Sequence, residues 1–293
     1  MKRAVLIVVV LVIAASAILA QRRGRSGGRG YGGGGWGRGY DESYRTPREI
    51  TQHSAETPNW TNAPGFEADA FTFVRIKRDR KWGSGGDWST DTPDSDLNLS
   101  YRLQQVTSMK VDPNGLFLRL TESNLTDYPF IYMVEPGTLS LNDDEVTALR
   151  NYLSNGGFLM LDDFWGEVQW ANMAGEMKKV FPNREWVEIP LDHPLYHCVF
   201  DIKSKGQVPN VGLGTESQWS HVTWEYHDGE ECKEVHHRAI YDDKGRIMVI
   251  ATHNTDNGDG WEWEGDNHYY FEHFAEKIAY PLTVNILFYQ MTH

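Results

Sequence analysis

Residues 130–163 read FIYMVEPGTLSLNDDEVTALRNYLSNGGFLMLDD. The stretch opens on five apolar residues, 130–134, and closes on four more at 158–161, and neither run alternates with polar side chains. Strands of that kind are covered on both faces. Between them, apolar residues recur at Val146, Leu149, Tyr152 and Leu153, the spacing of an amphipathic helix over 141–153. Asn142 with Glu145 three residues on makes a capping box, and Gly156-Gly157 supplies the stop. Two buried strands joined by a helical crossover are parallel and right-handed.

Working outward, residues 71–77 alternate as a strand, a glycine-rich loop follows at 82–88, and Thr92-Pro93-Asp94 opens a helix expected over 93–109. Downstream come a helix near 170–181, a strand near 186–189, a hairpin of 238–241 with 246–252 around Asp242-Asp243-Lys244-Gly245, and a closing helix from 280. Residues 191–235 show no clear period and read as loops inserted over one sheet edge. The expected fold is α/β: an open, mostly parallel sheet flanked by helices.

The N-terminus has Lys2 and Arg3, then an apolar run over 4–20 with Ala15, Ser16 and Ala17 near its end. That is the layout of a signal peptide over 1–20, implying export to the periplasm or beyond. The run also reaches the lower limit of a bilayer span, so the alternative is a membrane anchor. Residues 21–65, Gly/Arg-rich at first and then polar with Pro58 and Pro64, are expected to be a disordered linker ahead of a domain at 66–293. The chain carries −13 overall, and residues 49–293 hold 19 basic against 39 acidic residues. Such a body repels nucleic acid. The Arg/Gly tail is similar to RNA-binding segments, but after an export signal it reads as a linker touching anionic envelope surfaces. Cys198 and Cys232 form no CxxC, which excludes thiolate metal and thioredoxin-like sites, and leaves either a disulfide between them in an oxidising compartment or two buried free thiols.

The stretches FTFVRIKR (71–78), YPFIYMVEPG (128–137), NGGFLMLDDFWG (155–166), DHPLYH (192–197), GRIMVIATHNTDNGDGWE (245–262) and YPLTVNILFYQMTH (280–293) resemble the bacterial domain of unknown function numbered 4159. The resemblance implies a fold like that of class I glutamine amidotransferases (flavodoxin-like) and of the trehalose-utilisation family, in exported or anchored proteins. No single motif brings a reaction with it. Amidotransferases use a cysteine on a sharp strand-to-helix turn. Here those turns hold Glu135-Pro136-Gly137 and Asp162-Asp163-Phe164, which argues against that chemistry.

In an open parallel sheet, ligands bind beyond the carboxyl ends of the strands. Glu135, Asp162, Asp163 and Asp256 are expected there, lining one cleft. Asp162 and Asp163 are candidates for a general-base or metal-binding pair; the alternative has Asp162 capping the next helix and Asp163 facing solvent. His193, between Asp192 and Pro194, is a candidate acid or base, or part of a structural turn. The run NTDNGDGWE (254–262) offers Asp256, Asp259 and Glu262 as ligands for a divalent cation, although EF-hand spacing fails at Gly258 and Gly265; the alternative is a surface turn. Trp88, Trp165 and Trp261 with Asn254 are candidate walls of a sugar cleft, or rings that cover the sheet edge. The loop Gly83-Ser84-Gly85-Gly86 has the layout of an anion cradle without a phosphate-loop motif. No HExxH or similar spacing supports zinc.

Three functions remain open: an envelope ligand-binding domain that lacks the amidotransferase nucleophile, a carbohydrate hydrolase, and a scaffold in an envelope assembly. The hydrolase would use Asp162, Asp163 or Glu135 with His193 or His253 assisting. Candidate partners are a carbohydrate or an envelope protein, and the candidate cofactor is a divalent cation.

Overall fold

A computed structural model describes residues 43–54, 56–65, 69–79 and 87–293, so the signal segment, the Arg/Gly tail and the loop at 83–86 lie outside the described residues. Seven strands form one sheet: β1 Val74–Lys77, β2 Leu116–Arg119, β3 Phe130–Val134, β4 Phe158–Asp162, β5 Val187–Glu188, β6 His236–Tyr241 and β7 Ile247–His253. Their order is β2-β1-β3-β4-β7-β6-β5. The first five in that order run parallel, while β6 is antiparallel to both of its neighbours. Sequence direction reverses between β1 and β3, which is where such sheets open a crevice.

The non-alternating strands are covered on both sides. Phe130, Tyr132 and Val134 of β3 face one core, with Phe73, Trp261 and the C-terminal helix, while Ile131 and Met133 face the other, with Leu149, Leu153, Met173 and Met177. The first face carries α1 (Asp94–Val106), α5 (Asn257–Glu262) and α6 (Tyr280–Thr292); the second carries α2 (Asp143–Ser154) and α3 (Gly166–Val180). The predicted capping box at Asn142 and Glu145 is present in α2.

Several expectations change. Strand β2 was not read at all, because LFLR is a short edge strand between turns. The closing helix starts earlier, at His268, and runs through a π-helical stretch, Phe271–Ala279, that sets Ala279 and Ala275 against Gly260 of α5. The inserted residues 191–235 do contain a helix, α4 (Val211–Ser220). Cys198 and Cys232 are both free thiols. Among the described residues, no helix is long and apolar enough to cross a membrane.

The linker boundary also moves. Arg48 donates to the carbonyls of Pro113, Thr57 and Pro58, Arg45 pairs with Glu122, and Lys77 Nζ reaches Tyr44 O at 2.6 Å. Residues 44–54 and 56–62 therefore lie on the body as a strap. Polar, proline-containing sequence gave no periodicity to reveal it, because side-chain bonds to backbone, not a buried apolar face, hold it down.

Candidate functional site

Three neighbouring parallel strands end in the same way. The residue immediately after β3, β4 and β7 is Glu135, Asp163 and Asn254, and each is left-handed, with φ of 47°, 57° and 61°. Asp91, in the turn that enters α1, is the fourth, at φ 64°. Such backbone costs on the order of 1 kcal/mol per non-glycine residue, and clusters of it mark functional turns. Two of the four, Asp91 and Asp163, meet at the strand ends, whereas Asn254 turns to Gly166, Glu231 and Glu234.

The result is a group of carboxylates. One oxygen each from Asp91, Asp163 and Asp256 lies within 4.8 Å of the others, and the same holds for Asp91, Asp259 and Glu262, so Asp91 belongs to both triads. Asp256, Asp259 and Glu262 project at three-residue spacing from the start of α5, with Asp256 accepting from Asp259 N at 2.8 Å as its N-cap. What reads as a calcium loop is thus a helix entry. Asp91 is positioned by Arg75 of β1, whose guanidinium donates to the carbonyls of Trp88 (3.2 Å) and Thr90 (2.8 Å) on the turn before it. Asp91 Oδ2 is buried and accepts no hydrogen bond among the described residues, and it rests against Gly258, where any Cβ would collide with it. Glu135 stands beside the group, accepting from Thr90 Oγ1 at 3.2 Å.

Little positive charge answers these acids. Among the described residues, the ion pair that reaches either triad is His53 Nε2 with Glu262 at 3.4 Å. Burial, then the charges of Asp259 and Glu262, push Asp91 well above the usual carboxylate range. Burial followed by Glu135 and Asp91 does the same to Asp163, and burial followed by Asp163 and Asp259 to Asp256. Glu262 is raised by burial and by Asp259. Such a group needs protons or a cation between its oxygens. All-oxygen, all-carboxylate donors suit calcium, magnesium or manganese, not zinc or copper.

Asp162 and Asp163 part company. Asp162 is fully buried and accepts from Tyr132 Oη, Thr252 Oγ1, Asn257 Nδ2 and Gly258 N, so it ties β3, β7 and α5 together. Burial raises it to about 6 against the pull of those donors. It neither caps α3, whose N-cap position is Trp165, nor has a face left for substrate. Asp163, with Oδ1 accepting from Trp165 Nε1 at 3.1 Å, is the member of the pair that joins the cluster.

Other candidates lie elsewhere. Trp88 packs on Phe117, and Trp261 on Phe73 and Tyr132, both in the core. Asn254 is a brace: its Oδ1 accepts from Gly166 N and its Nδ2 donates to the carbonyls of Glu231 and Glu234. Trp165 is buried over Asp163. These positions cannot wall a sugar cleft, because size and apolarity drew the rings inward. His193 accepts from Leu195 N and packs on Tyr289; its charged neighbours are Asp192 and His293, not the cluster. His253 is held by Gly166 O and Arg238, and burial keeps it neutral, with a pKa near 3.

Asp91 escaped sequence reading. An aspartate before Thr-Pro looks like turn chemistry, and its reach depends on a left-handed backbone and on Arg75 sixteen residues earlier. The available signal was DTPDSD (91–96), three acids in six residues at a helix entry, together with the three-residue spacing of Asp256, Asp259 and Glu262.

A search of curated proteins finds no match to the chain. A family model does: residues 72–291 match the domain of unknown function DUF4159, a span that holds every strand of the sheet and, with Asp91, Asp163, Asp256, Asp259 and Glu262, the whole cluster, and the chain belongs to that family.

Proposed function

We propose that this is a cation-dependent ligand-binding domain of the cell envelope, in which a divalent cation held by Asp91 with Asp163 and Asp256, or with Asp259 and Glu262, presents the ligand at the carboxyl edge of an amidotransferase-like sheet. The observation that carries this reading is the convergence of four carboxylates, Asp163, Asp256, Asp259 and Glu262, on Asp91, whose buried Oδ2 accepts no hydrogen bond among the described residues. The envelope address rests on the signal-like pattern of residues 1–20. A two-carboxylate glycosidase fits less well. Its acids stand about 5–5.5 Å apart when retaining and farther when inverting, whereas these oxygens are within 4.8 Å in threes, the spacing of a cage. The histidines expected to assist are also held away.

Calcium and magnesium titrations of EDTA-treated protein, followed by calorimetry and by melting temperature, test this. A cation at 100 times its Kd should add about 2.7 kcal/mol of stability. Asp91→Asn should lose at least most of that response. Gly258→Ala keeps every carboxylate but displaces Asp91, and should lose it too. Wild-type protein that gains no stability and gives no saturable heat with calcium, magnesium or manganese would overturn the proposal.

A further inference from the structure

A second cleft, of about 650 Å³, opens at the far edge of the sheet, between the β5 segment, the start of β6 and residues 204–205. Its charged lining is Glu188, Lys205, Glu234, His236 and Arg238. Lys205 Nζ pairs closely with Glu188 Oε1, while His236 Nδ1 and Arg238 Nε each approach Oε2 at 3.2 Å. His237 N adds a fourth contact at 3.2 Å. Glu188 is thus met by two donors on each oxygen, which occupies its four acceptor sites.

Those side chains keep hydrogen-bonding capacity in hand. Arg238 uses Nε on Glu188 and Nη1 on His253, and its Nη2 makes no hydrogen bond among the described residues. His236 Nε2 is likewise unused there, and a lysine ammonium has two more N–H groups than the one Glu188 takes. The Arg238 guanidinium lies 4.1 Å over the Trp170 ring, which fixes its plane, and Trp186 meets Trp170 edge-on at 5.4 Å and forms a wall of the cleft. In a body with 39 acids to 19 bases, donors gathered around a cleft of ligand size are a local exception.

We propose that this cleft binds a small sugar acid, a polyhydroxyl ring carrying one carboxylate. Lys205 and Arg238 supply N–H donors for the carboxylate, and His236 Nε2 can pair with a ligand hydroxyl. Glu188 and Glu234 in the same cleft limit the ligand to one negative charge, Glu234 can accept from hydroxyls, and Trp186 offers an apolar wall for the ring. The site shares none of its residues with the carboxylate cluster, so the two proposals stand or fall separately.

Isothermal titration of the full chain in EDTA, with sodium D-glucuronate, D-glucose and inorganic phosphate each up to about 20 mM, tests it. Glucuronate should bind saturably, more weakly as salt rises, and at least about tenfold tighter than glucose or phosphate. Lys205→Met, at a partly exposed side chain, should cost about tenfold, and Lys205→Arg should restore binding. No saturable glucuronate heat, phosphate binding as tight as glucuronate, or a Lys205→Met protein that binds unchanged would each overturn the assignment.

Discussion

Lowering the pH from 7 toward 5 should stabilise the cation-free protein, against the usual direction for carboxylates. Asp162 has a folded-state pKa of about 6 against an ordinary value of 3.8. Between those two values the folded chain holds a proton that the unfolded chain releases, so unfolding is favoured as pH rises through the window. A raised carboxyl of this size weakens the fold by about 3 kcal/mol at pH 7, a penalty absent below the ordinary carboxylate pKa and complete above the folded one. Asp91, Asp163, Asp256 and Glu262 are raised by burial and by one another, and act in the same direction. Glu188, lowered by Lys205, His236 and Arg238 although its partial burial opposes them, acts the other way, but it is well exposed and screened. His237 and His253, which burial holds neutral with pKa values lowered to about 3, also oppose the trend, because the unfolded chain takes up their protons first as pH falls below about 6.5, but they are two groups against five raised acids. A bound divalent cation replaces the protons and should flatten the slope. Urea midpoints at pH 5, 6 and 7, in EDTA and in excess calcium, measure both effects. The same series on Asp91→Asn separates the acids from His237 and His253: wild-type stability in EDTA that climbs from pH 5 to 7 with the slope of the Asp91→Asn protein would show that the clustered acids do not carry the effect.

Arg75→Met should be the most damaging single substitution, at about 3–5 kcal/mol, because it strands a buried charge. Arg75 has no exposed surface; Nε and Nη2 bind both oxygens of Asp96 at 2.8–3.1 Å, Nη2 donates to Ser95 Oγ, and the guanidinium sits 5.0 Å over Tyr132. Removing it leaves Asp96 buried without its partner and two carbonyls, of Trp88 and Thr90, without their donor. The double substitution Arg75→Met with Asp96→Leu should recover a large part of the loss, since no charge is then left unpaired. Chemical denaturation reads all three proteins. Because Arg75 also anchors the turn carrying Asp91, even the refolded double variant should bind calcium more weakly. A double variant no more stable than the single one would mean that the turn, not the ion pair, dominates.

The fold was largely legible because its central strands are unusually plain. FIYMV and FLML can only be two-sided strands, and the capped helix between them fixes the crossover. β2 was not legible: four residues between turns carry too little pattern. The strap was not legible either, since Arg48 and Lys77 hold it through carbonyls that leave no trace in composition. At the site, strand-end logic placed Asp163 and Asp256 in one region, but it could not separate Asp162 from Asp163. Adjacent aspartates look alike until the backbone turns left-handed between them and sends one into the core and the other into the cluster. The tryptophans misled for a related reason: polar neighbours in sequence do not make a ring's surroundings polar in space.

The left-handed turns set stability against whatever the site does. Glycine at 135 or 163 would relieve strain on the order of 1 kcal/mol, and at 163 it would also remove a buried acid from among others. A library of this protein selected only for survival at high temperature, in chelator, should therefore accumulate glycine at both positions and lose its acids there first. The same library selected with a divalent cation present should keep Asp163, so the identity of the ion can be read from which metal salt preserves that acid under heat while position 135 drifts to glycine.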